Sequence, residues 1–204
     1  MKLIKFLSSL LLSVFALQAV AQEAPDALAK RVMNEVLEIV RTDKSIQSGD
    51  QKRIFELVDA KVLPHFDFRH MTALAMGREW RNASAEQKEA MTAEFKILLV
   101  RSYSNALAQY KNQTIDFKPI RMQAADSDVI VRTEVKQAGT KPVSIDYQME
   151  KLAEGWKVYD VMVAGVSLVT NYRETFAQEI KAGGIDGLIK SLKTKNAQAE
   201  VVKK

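Results

Sequence analysis

The sequence predicts an α+β domain in which an antiparallel meander of about four strands is covered on one face by several helices. Three observations predict it. Apolar residues recur at helical spacing over residues 25–110, switch to period two over 113–163 and return to helical spacing over 167–195. The strand candidates are separated by turn-forming residues rather than by helices, so neighbouring strands run antiparallel. On the two middle strands, Val129, Val131, Thr133 and Val135 oppose Arg132, Glu134 and Lys136, and Val143, Ile145, Tyr147 and Met149 oppose Ser144, Asp146, Gln148 and Glu150. A sheet with one wet face takes its helices on the other.

Residues 1–21 read as a secretory signal peptide. Lys2 and Lys5 precede an apolar run from Phe6 to Leu17, and Ala19-Val20-Ala21 supplies an Ala-x-Ala cleavage site. The run is shorter than the ~20 residues of a spanning helix, and no cysteine is present to carry a lipid, so the mature chain is expected to be free in the periplasm. A single domain over 22–195 follows. Leu28, Val32, Val36 and Ile39 mark an amphipathic helix from Pro25 to about Arg41, and Thr42 to Gly49 form a polar break. Asp50 is placed to cap a second helix carrying Ile54, Leu57, Val58 and Val62, which Pro64 ends. Phe66, Phe68, Met71, Leu74 and Met76 mark a short third helix closed by Gly77. Ser84 and Gln87 form a capping box that opens the longest helix expected, with Met91, Phe95, Leu98, Leu99, Ser102, Ala106 and Tyr110 as its buried stripe.

Strands are expected over Thr114 to Ile120, Val129 to Val135, Val143 to Met149 and Trp156 to Val163, the last entered through a tight turn at Glu154-Gly155. Ala164-Gly165 interrupts the fourth strand. From Ser167 onward, Leu168, Tyr172 and Phe176 fall on one helical face that Gly183-Gly184 close, so the strand is expected to pass directly into a helix. Ile185, Leu188, Ile189 and Leu192 mark a last short helix, and residues 196–204 read as a basic tail without structure.

The composition excludes several chemistries. Removing Lys2 and Lys5 from thirty basic residues leaves an excess of three over the 25 acidic ones, and the basic residues are spread rather than interleaved with aromatics, so nucleic acid is not an expected partner. The absence of cysteine removes thiol catalysis and thiolate metal sites. The two histidines lie in His65-x-Asp67-x-x-His70, ligand types at close spacing, yet two neighbours are phenylalanines and no third nitrogen or sulfur ligand lies elsewhere. The alternative is a helix entry capped by Asp67. Ser167 in Gly165-Val166-Ser167-Leu168-Val169 lacks the second glycine of a nucleophile elbow and any later histidine. Asp160 stands on a strand among aromatics, either as a perturbed acid or as the cap of a turn. No metal and no cofactor is expected. What remains is apolar capacity: Phe66, Met76, Trp80, Phe95, Leu99, Tyr103, Tyr147, Val161, Val163, Leu168, Tyr172 and Phe176 exceed what one sheet face needs.

Leu63-Pro64-x-Phe66-Asp67-Phe68, Met76-Gly77-x-x-Trp80-Arg81, Trp156-x-Val158-x-Asp160-Val161 and Gly165-Val166-Ser167-Leu168-Val169-x-Asn171-Tyr172-Arg173-x-x-Phe176 together resemble the MlaC, or toluene-tolerance, family of periplasmic phospholipid-binding proteins. In Ala75-Met76-Gly77 the family pattern has a leucine before the glycine, a change that keeps the packing role. The resemblance implies an NTF2-like curved sheet with an acyl-chain pocket between sheet and helices, and a head group left outside. It implies phospholipid as cargo rather than cofactor. It also implies exchange between an inner-membrane ABC transporter carrying an MCE-domain ring and an outer-membrane lipoprotein with its porin, in support of outer-membrane lipid asymmetry. The acyl-chain residues expected on this basis are the twelve apolar ones above with Val131 and Val166, and Arg81 and Arg173 are expected at the head group or a membrane surface. A monomer in transient contact with membranes is expected. The reading it displaces is a secreted enzyme or small-ligand binder of the same fold, using Asp67, His70 or Asp160.

Overall fold

Strands of matching apolar phase pair so that one face stays dry. The computed structural model, which describes residues 22–104, 109 and 113–201, has a single sheet built this way, each strand pairing with the next. Its order is β1 (Thr114–Phe117), β2 (Asp128–Lys136), β3 (Val143–Leu152), β4 (Gly155–Val163) and β5 (Val166–Ser167), all antiparallel. The signal peptide and the stripe positions Ala106 and Tyr110 lie outside the described residues.

The fifth strand corrects the expectation of about four. Ala164 and Gly165 both have positive φ, +50° and +81°, and Val163 pairs with Val166 across them. Two successive left-handed residues make a tight hairpin turn whose twist suits antiparallel strands. The chain therefore turns back along β4 instead of passing into a helix. Helical structure starts only with a 3₁₀ turn at Thr170–Tyr172.

β4 also departs from simple alternation. Gln148 of β3 pairs with Asp160 and Met149 with Val158, so Tyr159 is an extra, bulged residue. The bulge moves the inward phase from even to odd positions: Trp156 and Val158 before it, and Val161 after it, all join one apolar cluster. Without the extra residue Val161 would turn to the wet face.

Seven α-helices precede or follow the sheet in the described residues. α1 (Pro25–Thr42) lays Leu28, Ala29 and Val32 on Val129, Val131, Met149 and Trp156. Its far half packs Val36 and Val40 against Ile46 of α2 (Lys44–Gln47) and against Ile54 and Leu57 of α3 (Gln51–Lys61). α2 occupies the expected polar break. It is a single turn capped by Asp43, whose carboxylate accepts from the amides of Ser45 at 2.9 Å and Ile46 at 3.2 Å, and it buries only Ile46. After a 3₁₀ turn at Leu63–His65, α4 (Phe68–Met76) begins at Asp67, which accepts from the His70 amide at 2.8 Å, and ends at Gly77. The one-turn α5 (Glu79–Asn82) leads to α6 (Ala85–Tyr103), opened by the Ser84–Gln87 capping box.

The last helical element, α7, spans Arg173–Val201 as two helices that meet at a kink at Gly184, with φ +69° and ψ −177°, where the sequence expects one helix to close and another to follow. The second takes up residues 196–201 of the expected unstructured tail. Asn196 is buried, its side-chain amide donating to the Glu94 carbonyl at 3.0 Å and to the Glu94 carboxylate at 2.8 Å, which draws the chain end onto α6. Among the described residues no helix is long and apolar enough to cross a membrane.

The passage from sheet to helices is fixed by one carboxylate. Asp160, 2% exposed, accepts from the Val161 amide at 2.8 Å and from the Ser167 hydroxyl at 2.6 Å, while Ser167 Oγ accepts from the amides of Val169 at 3.2 Å and Thr170 at 2.9 Å. Burial raises the Asp160 pKa above the ordinary carboxylate value, and these hydrogen bonds oppose the rise. Because the folded value is the higher one, the stabilisation from Asp160 is complete below the unfolded value of about 3.9 and declines as pH rises through the folded value. Asp160→Ala is expected to cost about 1–3 kcal/mol, since it orphans buried donors. The penalty, measured by urea unfolding, should be larger at pH 4.5 than at pH 7; a penalty that grows with pH contradicts this account.

Candidate functional site

The apolar residues inside the molecule do not merge into one core. One cluster is purely helical with its connecting loops: Met71, Ala75 and Met76 of α4, Phe95 and Leu99 of α6, Val169, and Phe176, Leu188 and Leu192 of α7. A second belongs to the sheet and α1: Leu28, Val129, Val131, Met149, Trp156 and Val158. A third lies between α1, α2 and α3. Among the described residues Phe66 alone packs against both of the first two. It sits where the chain bridges to Val158 of β4 and the Asp67 amide donates to the Val158 carbonyl at 2.9 Å, which makes it the pivot between the two layers.

The expected lining residues distribute over these two walls. Met76, Phe95, Leu99 and Phe176 are buried members of the helical cluster, with Phe95 in edge contact with Tyr172 and Phe176 at 5.2 Å each. Phe66, Trp80, Tyr103 and Tyr172 are half-buried against that cluster. On the sheet wall Val131 is buried, whereas Tyr147 and Val161 are half-buried, as is Phe117, which the sequence did not single out. Val163 and Leu168 are also half-buried, and Val166 is 57% exposed at the hairpin tip. The half-buried apolar surface thus continues from Tyr147 and Val161 toward Val163, paired with Ile145, and the exposed Val143 and Val166.

Trp80 is flanked by two cations, Arg69 at 5.4 Å and Lys88 at 5.6 Å from its ring. Such contacts cover an aromatic face with charge on the side of the helices that carries Arg69 and Lys88. Arg81 is exposed. Arg173 donates twice to the Leu74 carbonyl, at 3.0 and 2.8 Å, lying beside Gly77 at the carboxyl end of α4. A cation there satisfies an orphan carbonyl and complements the helix dipole.

Polar groups inside the two walls are few and hydrogen-bonded. On the sheet wall the Thr133 hydroxyl donates to the Ile145 carbonyl at 2.6 Å. Burial pushes the Tyr147 phenol up to about 12 and likewise the Tyr103 phenol, the latter helped by the neighbouring Tyr172. Both phenols therefore stay protonated at neutral pH and neither makes a nucleophile.

The residues that carried the enzyme and metal alternatives have other duties. Asp67 caps α4, and Asp160 and Ser167 hold the corner after β4. His70 Nδ1 lies 2.6 Å from the Glu150 carboxylate, and its ring stacks at 4.4 Å on the bulged Tyr159, whose hydroxyl donates to Asp128 at 2.8 Å. Burial, then Arg31 and Lys157, lower the affinity of His65 for a proton. Among the described residues no three His, Asp or Glu side chains converge as a metal site would require.

The comparisons with known proteins agree with this arrangement. A phospholipid-binding protein from Ralstonia solanacearum, solved in complex with a phospholipid, superposes with a TM-score of 0.79 at 41% sequence identity, over 86% of this chain and 98% of that one. The intermembrane phospholipid transport system binding protein MlaC of Haemophilus influenzae is 25% identical over 183 residues, 88% of this chain and 86% of the relative. The toluene tolerance protein ttg2D of Pseudomonas putida is 26% identical over 179 residues, 86% of this chain and 82% of the relative. The family model for the MlaC protein matches residues 30–194, from within α1 to within α7 and so across both walls, and the chain belongs to the MlaC family.

Proposed function

We propose that this protein is a non-enzymatic, monomeric periplasmic carrier of phospholipid. It holds the acyl chains between the sheet wall and the helical wall and leaves the head group outside. The observation that carries this reading is that the helical cluster and the sheet cluster meet only at Phe66 among the described residues, with Phe117, Tyr147 and Val161 on one wall and Tyr103 and Tyr172 on the other left half-buried. A solved relative 41% identical to this chain was crystallised with a phospholipid, which supports the same cargo here. The name of the Haemophilus relative supports exchange with a membrane transport system. In this reading the partners are the inner-membrane transporter with its MCE-domain ring and the outer-membrane lipoprotein–porin complex, and the traffic maintains outer-membrane asymmetry.

Energetics dictate where release occurs. Two long chains bury about thirty methylenes, worth on the order of 24 kcal/mol against water at ~0.8 kcal/mol each. No exchange through water reverses that on a useful timescale. A bilayer or an apolar conduit offers the chains nearly the same gain, so transfer between carrier and partner is close to balanced. The carrier therefore needs apolar walls of the right width and few fixed polar groups, and it needs no input of energy within its own fold.

Native mass spectrometry of the mature protein purified from cells is expected to show a phospholipid-sized adduct; a mass equal to the bare chain under gentle conditions counts against the carrier reading. Val163→Gln places an amide on the half-buried sheet wall. It should lower phospholipid occupancy at least fivefold while moving the melting temperature by less than about 4 °C, the shift about 1 kcal/mol gives in a domain of this size. If occupancy and stability fall together, Val163 is ordinary core.

A further inference from the structure

We propose that the concavity at the start of β2 binds a phosphoethanolamine group, with Arg121 and Arg132 on its phosphate and Asp126 and Asp128 on its ammonium. The group is either the head of a phospholipid or the free zwitterion. The first source rests on the reading of this protein as a phospholipid carrier; the site itself does not.

The concavity has a volume of about 500 Å³, and all four charged side chains line it. It lies at the margin of the sheet wall. Val129 is a buried member of the sheet cluster and Ile120 packs against that cluster, whereas Asp128, Ile130 and Arg132 alternate to the other face of β2. The Lys118 amide donates to the Arg132 carbonyl at 2.9 Å, so the chain leaving β1 keeps alongside β2 and brings Arg121 to the same rim.

The charges in the concavity do not satisfy one another. Elsewhere on this face cations and carboxylates pair, Lys118 with Asp116 at 3.0 Å and Glu134 at 2.6 Å, and Lys136 with Asp116 at 3.2 Å. Arg132 stands opposite Asp146 in register without an ion pair. Among the described residues neither its guanidinium nor that of Arg121 has an ionic or hydrogen-bonded partner. Each carboxylate commits one oxygen: Asp126 Oδ2 accepts from the Gln123 amide and Asp128 Oδ2 from the Tyr159 hydroxyl, both at 2.8 Å. The second oxygen of each is left to accept.

Unpaired charges of both signs in one concavity call for a ligand of both signs. A plain anion would meet two carboxylates there, and a plain cation two guanidiniums. Asp128 and Arg132 lie four residues apart on one face of a strand, about 13 Å at ~3.3 Å per residue, and the long arginine side chain closes part of that span. An α-amino acid carries both charges on one carbon and is short for such a spread. A phosphate joined to an ammonium through two methylenes is longer, and the methylenes rest on Ile130 between the two ends. Guanidinium suits the phosphate, whose oxygens it takes in pairs.

The acidic end is held before any ligand arrives. The Tyr159 ring stacks at 4.4 Å on His70, and His70 Nδ1 lies 2.6 Å from Glu150, which stands opposite Asp128 across β2 and β3. Asp126 closes a tight turn, its own amide donating to the Gln123 carbonyl at 3.1 Å. Carboxylates fixed in this way lose little freedom on binding.

The test is calorimetric titration of the mature protein with O-phosphoethanolamine, ethyl phosphate and O-phosphocholine. Phosphoethanolamine is expected to bind about tenfold tighter than the other two, which lack the ammonium or its N–H donors, the factor that one charge-assisted hydrogen bond supplies. Arg121→Gln/Arg132→Gln is expected to weaken all three about tenfold or more. Asp126→Asn/Asp128→Asn, which keeps an acceptor for Gln123 and Tyr159, is expected to bring phosphoethanolamine down to ethyl phosphate. Sedimentation with vesicles separates the sources. Arginine-dependent retention that is greater on phosphatidylethanolamine mixed with phosphatidylglycerol than on phosphatidylglycerol alone assigns the lipid head group. Equal retention, with the soluble ligand bound, assigns the free zwitterion. No binding of phosphoethanolamine by the wild type, or ethyl phosphate bound as tightly, overturns the proposal. The carrier reading is judged apart from it, by the phospholipid adduct that all these variants are expected to keep in native mass spectrometry.

Discussion

The structure depends on the corner after β4, where a buried carboxylate turns the chain from one layer to the other. Asp160 gathers the Ser167 hydroxyl and the Val161 amide, and Ser167 gathers the amides of Val169 and Thr170. Opposite it stands the other crossing, where Phe66 and Asp67 are bonded to Val158. These two polar crossings join the helical wall to the sheet. Hydrogen bonds have defined lengths and directions, so they fix the geometry of a junction more closely than apolar contact alone.

This division explains why the interior contains two kinds of large apolar residue that composition cannot tell apart. Phe95, Phe176 and Met76 complete a core whose removal would leave a void, and their role is the stability of the helical wall. Phe117, Tyr147 and Val161 pack against the sheet cluster and are only half-buried. Surface of that kind costs free energy in water unless something apolar covers it. In the proposed carrier the stability of the helical wall and the capacity for cargo are carried by different residues on different walls.

The helices and their ends were legible because their signals are local. Asp50, Asp67 and the Ser84–Gln87 box cap the helices they were expected to cap. The strand faces of β2 and β3 were legible for the same reason. The sequence from Trp156 to Ser167 was less so. Its inward residues change phase at Tyr159, a slip that reads as continued alternation unless the inward positions are assigned one by one, and Ala164-Gly165 was taken as a break when two positive φ angles make it a hairpin. Ala is a poor indicator of a left-handed turn, since its Cβ disfavours that region. The helical end of the chain was obscured by its lysines: a solvated basic face and an unstructured tail have the same composition, and only the buried Asn196 marks the difference.

The site itself was legible as a capacity and not as a place. Periodicity assigns a residue to an inner face, but whether another layer closes on that face depends on long-range crossings such as Asp160–Ser167 and Phe66–Val158, which join residues by hydrogen bonds that no spacing rule encodes. Arg173 shows the converse. Its charge suggested a head group, and the structure directs its guanidinium to the Leu74 carbonyl at the end of α4. That assignment strengthens the separation of the walls, because the cation joins α7 to α4 within the helical layer and leaves the sheet free.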